Sequence, residues 1–191
     1  MLILPHSCFL HFPKTGGSWV KKAIAAAGIN CEEYSVNGNP HIGLDHCPCP
    51  DKFKFAFVRH PVQLYRSYWQ YKMGAVWDPE YTFDSDCRSD DFGQFVRNVV
   101  KMYPGIFGKT VVGFVGPVSN EIEFIGRYEN LIEDLISALK QAGEIFDEGA
   151  VRNLPPYNVS DKVRFPAEYS PELEQLVRDA EEAAIRRFGY D

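Results

Sequence analysis

The chain has 191 residues, of which 45% are hydrophobic, 24% charged and 14% aromatic. This composition excludes a disordered, collagen-like or coiled-coil protein, and the length predicts a single domain over residues 1–191. The 20 basic and 26 acidic side chains give a net charge of −6, which argues against a general nucleic-acid coat. Residues 13–72 carry eight Lys/Arg against four Asp/Glu, so an anionic ligand is expected there.

The apolar start, Met1–Phe12, is short and lacks a basic segment, so it does not resemble a signal peptide. No apolar run reaches the roughly 20 residues that span a bilayer. The five cysteines are an odd number without a secreted disulfide framework, which suits a reducing compartment. We therefore expect a cytoplasmic protein without membrane or nucleic-acid partners, and the sequence does not indicate its oligomeric state.

The first part of the chain predicts two strands, each followed by a helix. A buried strand over Cys8–Phe12 leads into a loop, after which a helix begins at Ser18. A second strand covers Phe53–Val58, and Pro61 opens a helix that extends to about Met73.

The remaining elements continue the alternation of strands and helices. In chain order they are a long surface loop over residues 74–91, a helix capped by Asp90 or Asp91, a strand or hairpin arm over Thr110–Val115, a strand over Ile122–Arg127, a helix that ends at Gly143, and a helix from Ser170 to Gly189. Alternating strands and helices predict an α/β fold with a central, mainly parallel sheet flanked by helices.

A phosphate-binding loop is predicted between the first strand and the first helix, in Pro13-Lys14-Thr15-Gly16-Gly17-Ser18. Glycines let the backbone approach an anion, and the helix N-terminus attracts it through N–H groups and the helix dipole. Lys14 adds a positive charge, and Thr15 and Ser18 add hydroxyls. The loop differs from the nucleoside-triphosphate pattern because Lys14 precedes both glycines. The alternative is an ordinary glycine-rich turn with a solvated lysine.

A second anion-binding motif follows the second strand. Arg59 stands at the carboxyl end of this strand, where parallel α/β sheets bind ligands. Ser67 lies about two turns into the next helix, so a guanidinium and a hydroxyl can share one phosphate. For Arg59 alone, a structural ion pair is the alternative.

Taken together, the two motifs resemble those of the sulfotransferase family, whose members use 3′-phosphoadenosine 5′-phosphosulfate (PAPS). The similar segments are Pro13–Trp19, Val58–Tyr68 and Phe124–Leu131 and, as in the carbohydrate-sulfotransferase branch, Asn158–Ser160, Glu168–Leu173 and Phe188–Tyr190. The resemblance implies one sulfotransferase-like domain with a three-layer, P-loop-like fold. It also implies transfer of a sulfuryl group from PAPS, as co-substrate, to a hydroxyl or amine, without a metal.

The resemblance assigns roles to individual residues. By this resemblance, the 5′-phosphosulfate is bound by Lys14, Thr15, Gly16, Gly17 and Ser18. The 3′-phosphate is bound by Arg59 and Ser67. Trp19 matches an aromatic residue that stacks on adenine in some members, with burial in the core as the alternative. Arg127 and Tyr128 match a structural turn, and Asn158 and Ser160 could border the nucleotide. Gly17 departs from the Thr or Ser of many members and removes a hydroxyl.

Catalysis by such an enzyme needs an electrophile at the leaving group and a base at the acceptor. Lys14 is the expected electrophile and proton donor. His41 is the expected base, because a Gly-His segment stands at a similar place in several carbohydrate sulfotransferases, and His46 follows. Glu32 and Glu33 are the carboxylate alternatives. We interpret His11 as a core histidine and His60 as part of the turn before the second helix.

Other functions remain open at this point. A small-molecule kinase on a P-loop-like fold and a catalytically inactive nucleotide-binding module are the alternatives to transfer. His46, Cys47 and Cys49 suggest zinc, but Cys-x-Cys is shorter than the usual spacing, so no metal is expected. The acceptor is a small molecule, a carbohydrate or a peptide. The wall of the acceptor pocket is expected among aromatic side chains that could equally form core: Tyr68, Trp69, Tyr71, Trp77, Tyr81 and Phe83.

Overall fold

The computed structural model describes residues 1–116, 122–157 and 163–190. Within these ranges the strands are β1 (Leu2–Ile3), β2 (Ser7–Leu10), β3 (Glu32–Glu33), β4 (Phe53–Val58) and β5 (Phe124–Arg127). The helices are α1 (Gly17–Ala26), α2 (Pro61–Gly74), α3 (Thr82–Cys87), α4 (Phe92–Met102), α5 (Ile106–Val115), α6 (Leu131–Gln141), α7 (Glu148–Asn153), α8 (Pro171–Ala180) and α9 (Glu182–Arg187). No helix in the described ranges is long and apolar enough to cross a membrane.

The strands form one open mixed sheet in the order β3-β1-β2-β4-β5. Strands β2, β4 and β5 are parallel, whereas β1 pairs antiparallel with both β2 and β3. Helices flank this sheet, so the α/β class predicted from the sequence is confirmed. The parallel part consists of three of the strands that the sequence predicts, and the two-residue strands β1 and β3 extend it at one edge.

The chain divides into two compact units, made of Met1–Arg59 with Val111–Asn158 and of His60–Thr110 with Val159–Asp191. The first unit contains the sheet with α1, α6 and α7, and the second contains α2, α3, α4, α8 and α9. The expectation of a single domain stays a prediction.

The core of the first unit lies between the sheet and its helices. Every residue of β2 is buried, and β4 is buried from Lys54 to Val58. This matches the near-continuous apolar pattern of parallel strands that are covered on both faces. Trp19, Val20, Ala23 and Ile24 of α1 pack into the same cluster. Each large apolar side chain buried there contributes about 1.5–3 kcal/mol to stability.

The core of the second unit is largely aromatic, and α2 supplies much of it. Tyr65 is fully buried, and Trp69, at 3% exposed, packs edge-on against Phe92. The carboxylate of Glu181, at the junction of α8 and α9, accepts hydrogen bonds from the hydroxyl of Tyr65 and the N–H of Gly108. Burial raises the pKa of Glu181, and these hydrogen bonds oppose that shift.

A buried ion pair also lies in the second unit. The side chain of Asp84 in α3 is fully buried and pairs with Lys72 of α2. Asp84 also accepts hydrogen bonds from the hydroxyl of Tyr68 at 2.5 Å and the N–H of Asp78 at 2.9 Å. Because each carboxylate oxygen has partners, the cost of burying this charge is offset.

The structure corrects three sequence-based expectations. Thr110–Val115 is helical and forms the end of α5, where Thr110 donates its hydroxyl to Ile106 O. Its β-branched residues suit a strand, but packing overrides such weak preferences. The predicted loop over 74–91 contains α3, and the C-terminal helix is divided at Glu181 into α8 and α9.

Several predicted boundaries are confirmed. Strand β4 covers Phe53–Val58, and α2 begins at Pro61. Asp91 caps α4 by accepting from the N–H of Gln94, and Ser170 caps α8 by accepting from the N–H of Leu173. Cap residues identify helix starts because their side-chain oxygens satisfy N–H groups that the helix cannot.

Candidate functional site

The candidate site of the first unit lies at the carboxyl edge of its three parallel strands. Leu10 of β2 pairs with Ala56 of β4, and Val58 of β4 pairs with Arg127 of β5. The segments that leave these strands therefore start at the same edge. This is the edge at which open α/β sheets bind ligands.

The loop between β2 and α1 has an unusual backbone. Lys14 has φ 65° and Gly16 has φ 86°, both in the left-handed region. The hydroxyl of the buried Thr15 donates to Phe12 O at 2.8 Å, which fixes the loop from inside. Gly16 is the N-cap of α1 and supplies no side-chain cap. An N-terminus of this kind presents N–H groups and a partial positive charge to an anion.

Neither glycine of the loop leaves room for a side chain. A Cβ on Gly16 would lie 2.7 Å from Leu131 Cδ2, and one on Gly17 would lie 1.9 Å from His11 Cδ2. The ring of His11 therefore occupies the space beside Gly17. This contact gives a physical reason for glycine at position 17.

Arg59 reaches the loop from the end of β4. Its Nη1 donates a hydrogen bond to Lys14 O at 3.1 Å, and its guanidinium lies 3.9 Å from the ring centre of Tyr128. Tyr128 directly follows β5, and its ring also limits the space beside Gly16. The three strand ends thus contribute a basic loop, a guanidinium and the aromatic ring that supports both.

The two cations of this site influence each other. Burial and the positive charge of Arg59 lower the pKa of Lys14 to about 8. Both effects disfavour the charged ammonium. An anion bound beside Lys14 and Arg59 would offset the repulsion between them, so the electrostatics favour an anionic ligand.

His41 lies next to this loop in the first unit. Its Nδ1 is 2.9 Å from the carbonyl oxygen of His11, and the two imidazole rings meet edge to face with centres 4.6 Å apart. A carbonyl only accepts, so the proton of a neutral His41 is on Nδ1. Its Nε2 then carries the lone pair that a general base uses.

The alternative bases have other partners. His46 and Asp45 form a pair at 2.9 Å between two exposed side chains. Glu32 and Glu33 make up β3, and Glu33 forms an ion pair with Lys21 at 3.0 Å. His60 accepts from the N–H of Val62 at the start of α2, which confirms its interpretation as a turn residue.

The other predicted ligands differ in their burial. Trp19 is 6% exposed, belongs to the core cluster, and donates its indole N–H to Pro155 O at 3.2 Å, which favours the core interpretation over adenine stacking. Ser18 is half-buried in the first turn of α1. Ser67, in α2 of the second unit, is 5% exposed. Asn158 and Ser160 lie outside the described residues.

The aromatic residues proposed as an acceptor wall belong mainly to the core of the second unit. Trp69, Trp77 and Phe83 are at most 8% exposed. Only two of the six, Tyr71 and Tyr81, are more than half exposed. Core packing rather than ligand binding thus accounts for most of these aromatic residues.

His11 and Tyr128 also contact the loop or Arg59, although the sequence indicates only a core role for His11 and a turn role for Tyr128. His11 has a recognisable signal, since it directly follows β2 and lies two residues before Pro13. The close approach to Gly17 follows from the tertiary structure alone. In residues 1–116, 122–157 and 163–190, no group of three or more His, Cys, Asp or Glu side chains has an arrangement that could hold a metal.

Comparisons with models of protein families, with curated proteins and with solved structures found no match to this chain.

Proposed function

We propose that the protein is a sulfotransferase that moves a sulfuryl group from PAPS to a hydroxyl or amine acceptor, on a three-layer, P-loop-like fold. The observation that carries the proposal is the contact between Arg59 and the loop of Lys14 at the carboxyl edge of the parallel strands. It joins a helix N-terminus and two cations within one compact unit. The geometry favours an anion, and the similarity of these motifs to those of sulfotransferases identifies PAPS as the expected one.

In this proposal the first unit holds the phosphosulfate end of the nucleotide. The N–H groups at the start of α1 bind oxygens of the 5′-phosphate, and Lys14 neutralises the bridging oxygen. Thr15 acts through its backbone, because its hydroxyl already donates to Phe12 O. Arg59 takes the 3′-phosphate, for which a guanidinium offers paired N–H donors. Ser67 and Trp19 remain predicted contacts of the nucleotide, and both side chains are buried.

With a hydroxyl acceptor, the chemical step transfers the SO₃ group in line between two oxygens. The acceptor oxygen forms a bond to sulfur while the bond from sulfur to the bridging phosphate oxygen breaks. The electron pair of the broken bond stays on the phosphate, where Lys14 stabilises the developing charge. His41 Nε2 takes the acceptor proton, and its hydrogen bond to His11 O orients the ring. The products are the sulfated acceptor and adenosine 3′,5′-bisphosphate.

A small-molecule kinase is the second candidate, favoured only by the general strand–loop–helix arrangement. Lys14 precedes both glycines of the loop, unlike the lysine of nucleoside-triphosphate loops. ATP also lacks a 3′-phosphate, which leaves no ligand group for Arg59. A nucleotide-binding module without transfer activity would keep the site but not the reaction.

Binding and turnover together test these alternatives. Calorimetry with adenosine 3′,5′-bisphosphate and with ADP should show tighter binding of the bisphosphate. Sulfur-labelled PAPS, incubated with a panel of sugars, phenols, alcohols and tyrosine peptides, should then yield a labelled product. Preference for ADP would favour the kinase, binding without labelled product would favour the inactive module, and binding of neither nucleotide would refute the proposal.

A further inference from the structure

We infer that His11 is a ligand-binding residue of the same site, which presents its Nε2–H to an oxygen of the anion held at the N-terminus of α1. For the natural ligand, the 5′-phosphosulfate of PAPS, this inference rests on the proposed function. For an anion as such, it rests on the geometry of the first unit.

The first observation is the position of the ring. A Cβ on Gly17 would lie 2.0 Å from His11 Nε2, so this nitrogen faces the first residue of α1. The N–H groups of a helix start are directed at a ligand beyond the N-terminus. His11 Nε2 therefore lies beside the helix start whose N–H donors an anion would use.

The second observation concerns the other ring nitrogen. His11 is 8% exposed, and its Nδ1 is buried without a hydrogen-bond partner among the residues that the structure describes. A buried N–H donor without a partner is rarer and more costly than an unsatisfied acceptor. The proton of a neutral His11 is therefore expected on Nε2, the nitrogen that faces Gly17.

The protonation state agrees with this arrangement. Burial is the main cause that lowers the pKa of His11 to about 3, and its electrostatic interactions with His41, Lys21 and the N-terminal amine act in the same direction. The ring is thus neutral at physiological pH. A neutral imidazole donates a hydrogen bond to an anion without adding a charge to the site.

The contact also connects the anion site to the candidate base. His41 Nδ1 donates to the carbonyl oxygen of His11. One residue thus faces the anion with its side chain and orients His41 with its backbone. Substituting the side chain of His11 leaves the backbone contact in place, so the two roles can be tested separately.

The test uses inorganic pyrophosphate as the probe, with sulfate as a second anion. Nitrogen NMR of the full chain, labelled in its histidines, follows His11 Nε2 during titration. We expect the Nε2 resonance of His11 to shift with pyrophosphate occupancy, and the Nε2 resonance of the exposed His6 to stay unchanged. This measurement needs no variant, so a folding defect cannot obscure it.

Two variants complete the test. His11→Phe retains an aromatic ring beside Gly17 but removes the N–H, and we expect about ten- to hundredfold weaker pyrophosphate binding from the loss of one hydrogen bond to a charged group. The double variant His11→Ala/Gly17→Ser places a hydroxyl in the vacated space and should recover part of that loss. The matched control is His6→Ala.

The outcomes distinguish this inference from the proposed function. An unchanged His11 resonance at saturating pyrophosphate, or equal affinity in His11→Phe, would overturn the inference and leave the sulfotransferase proposal standing. A shift of His11 with pyrophosphate, together with no preference for adenosine 3′,5′-bisphosphate over ADP, would support His11 and refute the sulfotransferase proposal. A wild-type chain that binds neither anion would overturn both.

Discussion

The Nη1 atom of Arg59 donates a hydrogen bond to the backbone carbonyl of Lys14, at 3.1 Å. The two residues are 45 positions apart in the sequence and leave neighbouring parallel strands. The contact directs the positive charge of Arg59 to the loop that carries Lys14. It also means that Arg59 supports the loop as well as any ligand, so experiments on Arg59 have to separate these two effects.

Arg59→Lys should separate them, because lysine keeps the charge but loses the paired N–H donors of the guanidinium. We expect the preference for adenosine 3′,5′-bisphosphate over ADP to fall by about ten- to hundredfold, since ADP lacks the 3′-phosphate. Calorimetry with both ligands measures the ratio. Equal losses for the two nucleotides would assign Arg59 to loop support alone. Tyr128→Phe, which keeps the ring beside Arg59, is the control.

The lowered pKa of Lys14 predicts a dependence of nucleotide affinity on pH. At pH values below about 8, Lys14 is already protonated when the anion binds. Above that value, binding a dianion requires uptake of a proton, so affinity should fall by up to about tenfold per pH unit. Calorimetric titrations with adenosine 3′,5′-bisphosphate from about pH 7 to about pH 9.5 would measure this fall in affinity, because the range includes pH values on both sides of the pKa of Lys14.

Lys14→Arg is the matched variant for this experiment, because its guanidinium stays protonated throughout. Its affinity should be nearly constant over the same range. A wild-type profile as flat as that of Lys14→Arg would contradict both the lowered pKa and the contact between Lys14 and the anion.

His41→Ala should lower kcat by roughly 10²–10⁴ while nucleotide affinity stays nearly unchanged, as expected when a general base is removed. Its hydrogen bond to His11 O fixes the tautomer with a lone pair on Nε2, and this is the physical basis of the prediction. The measurement is turnover of labelled PAPS with any acceptor found active, and His6→Ala serves as control. Full activity in His41→Ala would exclude His41 as the general base and leave His46, Glu32 and Glu33 as candidates.

Gly16→Ala should destabilise the first unit and weaken anion binding. The backbone of Gly16 has φ 86°, and a Cβ there would lie 2.7 Å from Leu131 Cδ2. The left-handed conformation alone costs about 1–2 kcal/mol for an L-residue, and the clash adds to it. Gly28→Ala is the control, because Gly28 has φ 77° but open space around the added methyl group. A thermal or chemical unfolding experiment compares the two variants, and equal destabilisation would count against the Leu131 contact.

Asp84→Asn should destabilise the second unit by about 3–5 kcal/mol, because it leaves the largely buried ammonium of Lys72 without its counter-charge. Asp86→Asn, on the exposed side of the same helix, should have only a small effect. Urea unfolding measures both changes in free energy. A loss below about 1 kcal/mol in Asp84→Asn, the level of a surface pair, would show that the ion pair contributes little.

The sequence alone identified the parallel strands, the starts of α2, α4 and α8, and the two basic motifs at the carboxyl edge. These features are local: apolar runs, proline at the first helical position, and Ser or Asp caps. The prediction of a strand or hairpin arm over Thr110–Val115 was wrong. The β-branched residues of this segment favour strands only weakly, and tertiary packing decides between strand and helix. The short strands β1 and β3 have too few residues to leave a periodic pattern.

For the candidate site, the sequence determined which residue types follow each strand, and therefore that an anion is the expected ligand. It did not determine that His11 occupies the space beside Gly17, or that Tyr128 lies against both Arg59 and Gly16. Those contacts join residues from separate strands and loops. They depend on the register of three strands and on the volume between them, and only the folded chain defines both.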